Sequence, residues 1–98
     1  MLKNFKNMNV LVLGSGGREH SICNNLIKSK KVNKLWCMPG NAGINKIAKF
    51  YEIDVNDKKR ILSFCIKKKI NLVIPGSEEF LAKGISDYLR LNGINVFG

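Results

Sequence analysis

The chain has 98 residues, of which 45% are hydrophobic, and its 17 basic against 7 acidic side chains give a formal net charge of +10. This length suits one small domain, and no apolar run reaches the roughly 18–20 residues that a membrane-spanning helix needs. We therefore expect a single soluble domain with no membrane partner. Three widely spaced cysteines without a C-x-x-C pair favour reduced, buried thiols in a cytoplasmic protein over disulfides or a zinc site.

Strands and helices are predicted to alternate along the chain. Apolar runs predict strands over 8–13, 34–38, 50–53, 71–75 and 94–97, and amphipathic stretches predict helices over 17–30, over 56–69 and from 77 to 92, with a helical turn over 44–49. This alternation is typical of the α/β class with a Rossmann-like open parallel sheet flanked by helices. Right-handed crossovers place the strand-to-helix turns at one edge of such a sheet, where ligands bind.

The positive charge lies in short lysine clusters, without the aromatic residues that interleave a typical RNA-binding surface. Because most surface charge is simply solvated, we expect no nucleic-acid partner. A nucleic-acid binder is the weaker alternative, and it predicts binding that falls steeply with salt concentration.

A glycine-rich turn follows the first predicted strand. The sequence from 14 to 20 reads G-S-G-G-R-E-H and leads into a helix, so its backbone N–H groups are available to an anion such as phosphate. The dinucleotide fingerprint fails twice, because position 19 is Glu instead of Gly and the second strand carries no acid. NAD and FAD are therefore disfavoured, and the nucleotide-triphosphate loop G-x-x-x-x-G-K-[ST] is absent from the sequence.

Two further turns bring glycine and polar residues to the same expected edge. Residues 39–43 follow the second strand and residues 75–79 follow the fourth. A cleft between the turns suits a small phosphorylated, hydroxyl-bearing ligand better than a dinucleotide. Its polar side chains would be Arg18, Asn41, Asp54 and Glu78.

Several of these residues also have a purely local interpretation. Arg18 and Glu19 could form a solvated first helical turn, in which Glu19 suits the helix dipole. Asn41 is favoured in turns, and Asp54 could cap a helix as well as bind a hydroxyl. His20 is a candidate general base, although packing or local hydrogen bonding at the helix start is the preferred interpretation.

The G-S-G-G-R-E-H segment and the P-G-N-A-G segment at 39–43 resemble the N-terminal domain of the phosphoribosylamine–glycine ligase (glycinamide ribonucleotide synthetase) family. The Gly76-x-Glu78 segment and the closing residues at 93–98 extend the resemblance over essentially the whole chain. The family usually shows G-P-E-x-P where this chain reads G-S-E-E-F, so both prolines of that loop are missing.

The resemblance implies that residues 1–98 form the pre-ATP-grasp domain that opens a longer ATP-grasp ligase, with the remaining domains in cis. It implies ATP-dependent joining of glycine to 5-phosphoribosylamine in de novo purine (IMP) biosynthesis, through an acyl phosphate of glycine. ATP with Mg or Mn would be held by the other domains, so we expect this domain alone to bind no cofactor and to be inactive. The alternative is a stand-alone Rossmann-like module for a small phosphorylated ligand or nucleotide.

On the same resemblance, the phosphoribosyl pocket would be lined by residues of the three turns, with Asp54 as a further substrate contact. We assign no catalytic residue and no metal ligand. The expected lining residues are Gly14, Ser15, Gly16, Gly17, Arg18, Gly40, Asn41, Gly43, Gly76 and Glu78.

Overall fold

A computed structural model describes residues 8–49, 53–54, 56–76 and 84–97. The described residues form a parallel sheet flanked by helices, which confirms the predicted α/β Rossmann-like class. The elements are β1 (Met8–Gly14), α1 (Gly17–Leu26), β2 (Val32–Pro39), a 3-10 turn (Ile44–Lys46), α2 (Lys58–Lys67), β3 (Leu72–Pro75) and α3 (Ile85–Leu91).

Strand β1 lies at the centre of the sheet, in the order β2-β1-β3. Both pairings are parallel, and their register places Gly14 opposite Pro39 and Leu13 opposite Pro75. The three strands therefore end at the same edge. Because the chain moves from β1 to one side and later to the other, this edge contains a topological switch point, where open α/β sheets bind their ligands.

The continuous apolar run of β1 is explained by burial on both faces, since a strand covered on both sides needs no polar alternation. Val10 and Val12 pack in one cluster with Cys23 of α1. Leu11 and Leu13 pack on the opposite face, in the cluster that contains the buried side chains of α2 and α3. Each of these strand residues is at most 1% exposed.

Asp57 caps the N-terminus of helix α2, and its carboxylate accepts a hydrogen bond from a backbone amide of the first turn. Its inward face consists of Ile61, Phe64 and Cys65, which are buried. The apolar pattern of this helix also predicts Ile66 on the inward face, and this prediction is wrong, because Ile66 is 62% exposed. It lies about 140° around the helix from Ile61, beyond the apolar stripe.

Helix α1 ends at Leu26, earlier than the predicted end near residue 30. Asn24, Asn25 and Ser29 favour turns over helix interiors, and Ser29 N donates to Leu26 O at 3.0 Å in the turn that follows. Lys28 and Lys30, which a helix over 17–30 would place in its last turn, therefore lie beyond the helix. No helix in the described ranges is long and apolar enough to cross a membrane.

Among the described residues, the sheet contains three of the five predicted strands. Of the predicted strand over 50–53, residues 50–52 lie outside the described part, and Lys49 just before it forms a parallel bridge with Trp36. The last predicted strand is present as a parallel bridge between Val96 and Val73. Each of the three cysteines is a free, buried thiol.

Candidate functional site

Backbone hydrogen bonds join the glycine-rich turn to the neighbouring strand ends. Gly40 N donates to Gly14 O at 3.0 Å, and Gly76 N donates to Leu13 O at 2.8 Å. The turn after β1, the turn after β2 and the end of β3 therefore meet at the switch-point edge of the sheet.

Glu19 lies in the crevice between these strand ends. Its side chain is buried, and its Oε1 accepts a hydrogen bond from Gly16 N at 2.8 Å. A Cβ atom at Gly14 would lie 2.7 Å from Oε1, and one at Gly76 would lie 2.8 Å from Oε2. Glu19 thus belongs to the packed crevice and not to a solvated helical turn, and it explains why both strand ends carry glycine.

Sequence reasoning missed this role of Glu19. A glutamate three residues after a helix N-cap is one half of a capping box, and that spacing from Gly16 predicts the hydrogen bond to the N-cap amide. It does not predict the burial, because burial depends on β3 ending beside β1.

The next two amides of the turn are open. Gly17 N and Arg18 N have no hydrogen-bond partner within the described residues, and they begin α1, where the helix carries partial positive charge. Four consecutive residues of this turn are exposed: Ser15, Gly16, Gly17 and Arg18. The turn therefore offers an anion two open amides, and it also carries the exposed Arg18.

Asn41 fastens the second turn to the first. Its Nδ2 donates to Ser15 O, and its Oδ1 accepts from Ile44 N at 2.9 Å. Beside it, Gly40 adopts a left-handed conformation with φ of +69°, which glycine tolerates best. These contacts support the local interpretation of Asn41 as a turn residue, and among the described residues part of its hydrogen-bonding capacity is unused.

His20 packs against the second turn. The side chain is half-buried, and its Cε1 lies 2.7 Å from the position that a Cβ atom would take at Gly43. This contact supports the packing interpretation of His20, and a Cβ atom at position 43 would require the imidazole to shift.

Asp54 stands apart from this cluster in every described contact. It is exposed, and its Oδ1 accepts a hydrogen bond from Asn56 N at 2.9 Å, while the neighbouring Asp57 caps α2. The side chain therefore stabilises the loop before α2. Glu78 lies outside the described residues.

Two thiols lie beneath the glycine-rich turn. Cys37 Sγ donates to Gly14 O at 3.4 Å, and Cys23 of α1 belongs to the same buried cluster. The pKa of the Cys37 thiol is raised, mainly by its hydrogen bond with the Cys23 thiol and, to a smaller extent, by burial. The Cys37 thiol therefore stays protonated and supports the turn as a neutral donor.

The donors of this site suit an anion better than a cation, because they are N–H groups. Across the described ranges, no three His, Cys, Asp or Glu side chains gather in a way that could hold a metal ion. We therefore place no metal-dependent step on these residues.

The sequence model of the family "Phosphoribosylglycinamide synthetase, N domain" matches residues 8–98. The chain belongs to this family. This N domain is 46% identical over 91 residues to the phosphoribosylamine–glycine ligase of Mesorhizobium japonicum. It is 42% identical over 91 residues to that of Caldanaerobacter subterraneus and 45% identical over 92 residues to that of Fusobacterium nucleatum.

These matches cover 93% of the N domain and 21–22% of each relative. The chain therefore spans about one fifth of the length of the curated relatives it matches.

Proposed function

We propose that this chain forms the phosphoribosyl-binding wall of a phosphoribosylamine–glycine ligase, with the remaining ligase domains in cis. The observation that carries the proposal is the pair of open amides at Gly17 and Arg18, on an exposed turn at the switch point of the sheet. The names of the relatives supply the reaction. A cytoplasmic location suits such a biosynthetic ligase and its buried free thiols.

In this proposal, glycine receives the terminal phosphoryl group of ATP on its carboxylate and becomes an acyl phosphate. The amine of 5-phosphoribosylamine attacks the acyl carbon, the new C–N bond forms and phosphate leaves, giving glycinamide ribonucleotide. ATP with Mg or Mn is held by the other domains. The residues of this chain bind and orient the phosphoribosyl group, which raises the effective concentration of the amine at the reaction centre.

The phosphate of the substrate binds, in this proposal, to the amides of Gly17 and Arg18 and to the Arg18 guanidinium. Hydrogen bonds that involve a charged group contribute about 1.5–3 kcal/mol each. The nearby carboxylate of Glu19 opposes a second anion and already occupies the amide of Gly16. We therefore expect weak binding by this domain alone, with a Kd of about 1 mM.

A titration of the chain with ribose 5-phosphate, followed by amide NMR shifts, tests the proposal. We expect shifts concentrated at residues 15–18. Arg18→Ala should weaken binding several-fold and leave the fold intact, because Arg18 is exposed. Arg60→Ala is the matched control, since Arg60 is an exposed arginine on α2, and it should leave the affinity unchanged.

Ribose without phosphate should produce no shifts in the glycine-rich turn. The absence of shifts at ~10 mM ribose 5-phosphate, roughly ten times the expected Kd, would contradict the proposal. Equal affinities of Arg18→Ala and the unmodified chain would remove Arg18 from the site.

A further inference from the structure

A second cleft lies at the opposite edge of the sheet, where the strands begin. It has a volume of about 440 Å³ and includes Asn9 near the start of β1. Five lysines and the chain's single tryptophan complete its lining: Lys34, Trp36, Lys49, Lys67, Lys68 and Lys69. None of the described lining residues is acidic.

The lysines converge on this cleft from separate parts of the fold. Lys67 ends α2, and Lys68 and Lys69 follow it, where cations suit the negative end of the helix dipole. The dipole does not account for Lys34, which lies on β2, or for Lys49, which bridges the same strand at Trp36. The lining therefore concentrates positive charge from three segments in one concave surface.

Trp36 lies beneath two of these ammonium groups. Lys49 Nζ is 5.8 Å from the centroid of the indole ring, and Lys68 Nζ is 5.5 Å from it. Trp36 is itself buried, at 8% exposure, and the two ammonium groups lie within cation–π distance of its ring. An aromatic ligand would have no free ring to stack on, which favours a ligand recognised by negative charge alone.

The backbone that carries the α2 lysines is fixed in place. Asn9 Nδ2 donates to Lys69 O at 3.1 Å and ties the end of α2 to β1. Ile70 N donates to Cys65 O at 2.9 Å and closes the helix end. Lys69 itself has φ of +55°, a left-handed position at which helix ends usually carry glycine. The fold thus presents a lysine from a position where a side chain is unfavourable.

We propose that this cleft binds a multiply charged phosphate anion of the triphosphate class. The cleft volume lies within the range of small-molecule pockets, about 300–1,000 Å³. Several ammonium groups can contact a chain of phosphates at once, whereas a single phosphate engages few of them. A nucleoside triphosphate and inorganic polyphosphate share this chemistry. The site is separate from the glycine-rich turn, so it does not depend on the function proposed above.

Inorganic tripolyphosphate is the probe, titrated into the 98-residue chain at constant ionic strength. Trp36 is the only tryptophan, so its fluorescence reports directly on this cleft. We expect a saturable fluorescence change and amide shifts at residues 34, 36, 49 and 67–69. ATP should bind with an affinity similar to that of tripolyphosphate, because the phosphate chain is the recognised group.

Two triple variants that remove equal charge distinguish binding at this cleft from non-specific electrostatic attraction to the whole chain. Lys34→Gln, Lys67→Gln and Lys69→Gln together should weaken tripolyphosphate binding by about tenfold or more, since charge-assisted contacts are lost. Lys28→Gln, Lys30→Gln and Lys31→Gln remove exposed lysines after α1 and should change the affinity by less than about twofold, through long-range charge alone.

Equal losses in the two triple variants would overturn the proposal, and so would shifts confined to residues 15–18. Binding of ATP without binding of tripolyphosphate would also overturn it, because the nucleoside would then be required. Tighter binding of a single-stranded oligonucleotide than of tripolyphosphate to this cleft would overturn it as well, because the preferred ligand would then be a nucleic acid.

Discussion

The carboxylate of Glu19 accounts for two glycines that lie far apart in the sequence. Glycine at a phosphate-binding turn is usually explained by the close approach of a ligand to the backbone. At Gly14 and Gly76, however, the space that a Cβ atom would need is filled by the glutamate itself. The same carboxylate takes the amide of Gly16, so the protein partly occupies its own anion site.

The substitution Gly76→Ala tests this packing. The new methyl group would clash with Glu19, and we expect the free energy of unfolding to fall by about 1–3 kcal/mol. Glu19→Ala removes the side chain that the new methyl group would meet. In that background, Gly76→Ala should therefore lower the free energy of unfolding by an amount smaller by about 0.5 kcal/mol or more, a coupling typical of residues in contact. Urea unfolding of the single and double variants measures the difference.

Gly17→Ala is the control for this pair, because nothing lies within 4 Å of a Cβ atom at Gly17. It should change the free energy of unfolding little, since Gly17 is a helical position with room for a methyl group. Additive effects of Gly76→Ala and Glu19→Ala would show that the two residues do not share the crevice.

The buried thiol of Cys65 makes the free energy of unfolding depend on pH in the alkaline range. Burial raises the pKa of Cys65 from 9.0 to about 12. Between these values the unfolded chain releases the thiol proton while the folded chain retains it, so the free energy of unfolding falls as pH rises from about 9 to about 12. The stabilisation is fully present below pH 9.

Cys65→Ala should reduce that pH dependence, although it lowers stability at neutral pH by leaving a small cavity. Lysine and tyrosine titration affects both proteins alike, so the comparison isolates the thiol. Urea unfolding at several pH values from about 8 to 11, spanning the usual range of thiol ionisation, provides the measurement. Parallel curves for the two proteins would contradict this role of Cys65.

At the scale of elements, the parallel α/β arrangement follows from local patterns, because strands buried on both faces carry long apolar runs and helices carry apolar stripes. The run in β1 and the Asp57 cap of α2 are such signals. The end of α1 and the exposure of Ile66 depend on where the chain must turn and on which helix face meets the sheet. Those are properties of the assembled layers.

In the candidate site, too, some features can be predicted from the sequence and others depend on the assembled fold. The glycine turns and Arg18 are visible as motifs, and the parallel topology brings the turns to one edge. The burial of Glu19 is not visible, because a glutamate in a first helical turn ordinarily suits the dipole in solvent. Its placement requires the neighbouring strand β3 to end just before Gly76.

The turn after β2 depends on Asn41 for its attachment. Asn41→Ala removes the hydrogen bonds to Ser15 O and from Ile44 N, and we expect a loss of about 1–2 kcal/mol in the free energy of unfolding. The Ile44 amide should exchange with solvent faster. Asn24→Ala, at an exposed position of α1, should leave both quantities nearly unchanged. Unaltered exchange at Ile44 in Asn41→Ala would contradict the proposed attachment.

For the whole molecule, the net charge of +10 implies repulsion within the folded chain. Raising ionic strength from 0.01 to 0.15 M shortens the screening length from about 30 Å to about 8 Å. We therefore expect the free energy of unfolding to rise over this range of NaCl. Thermal unfolding measures it, and a decrease with added salt would show that attractive pairs dominate.

The Lys28→Gln, Lys30→Gln and Lys31→Gln variant provides the comparison. Its net charge is three lower, from +10 to +7, so its stability should depend less steeply on NaCl. An unchanged salt dependence would mean that the lysines after α1 contribute little to the repulsion.

The three thiols are divided between the two faces of the sheet. Cys23 and Cys37 lie in the cluster beneath α1, and Cys65 lies in the cluster formed with α2 and α3. A reagent that alkylates only solvent-accessible thiols therefore labels each layer separately when the native protein opens briefly. Chains that carry the label on Cys65 alone would reveal an intermediate in which α2 and α3 have detached while α1 remains docked.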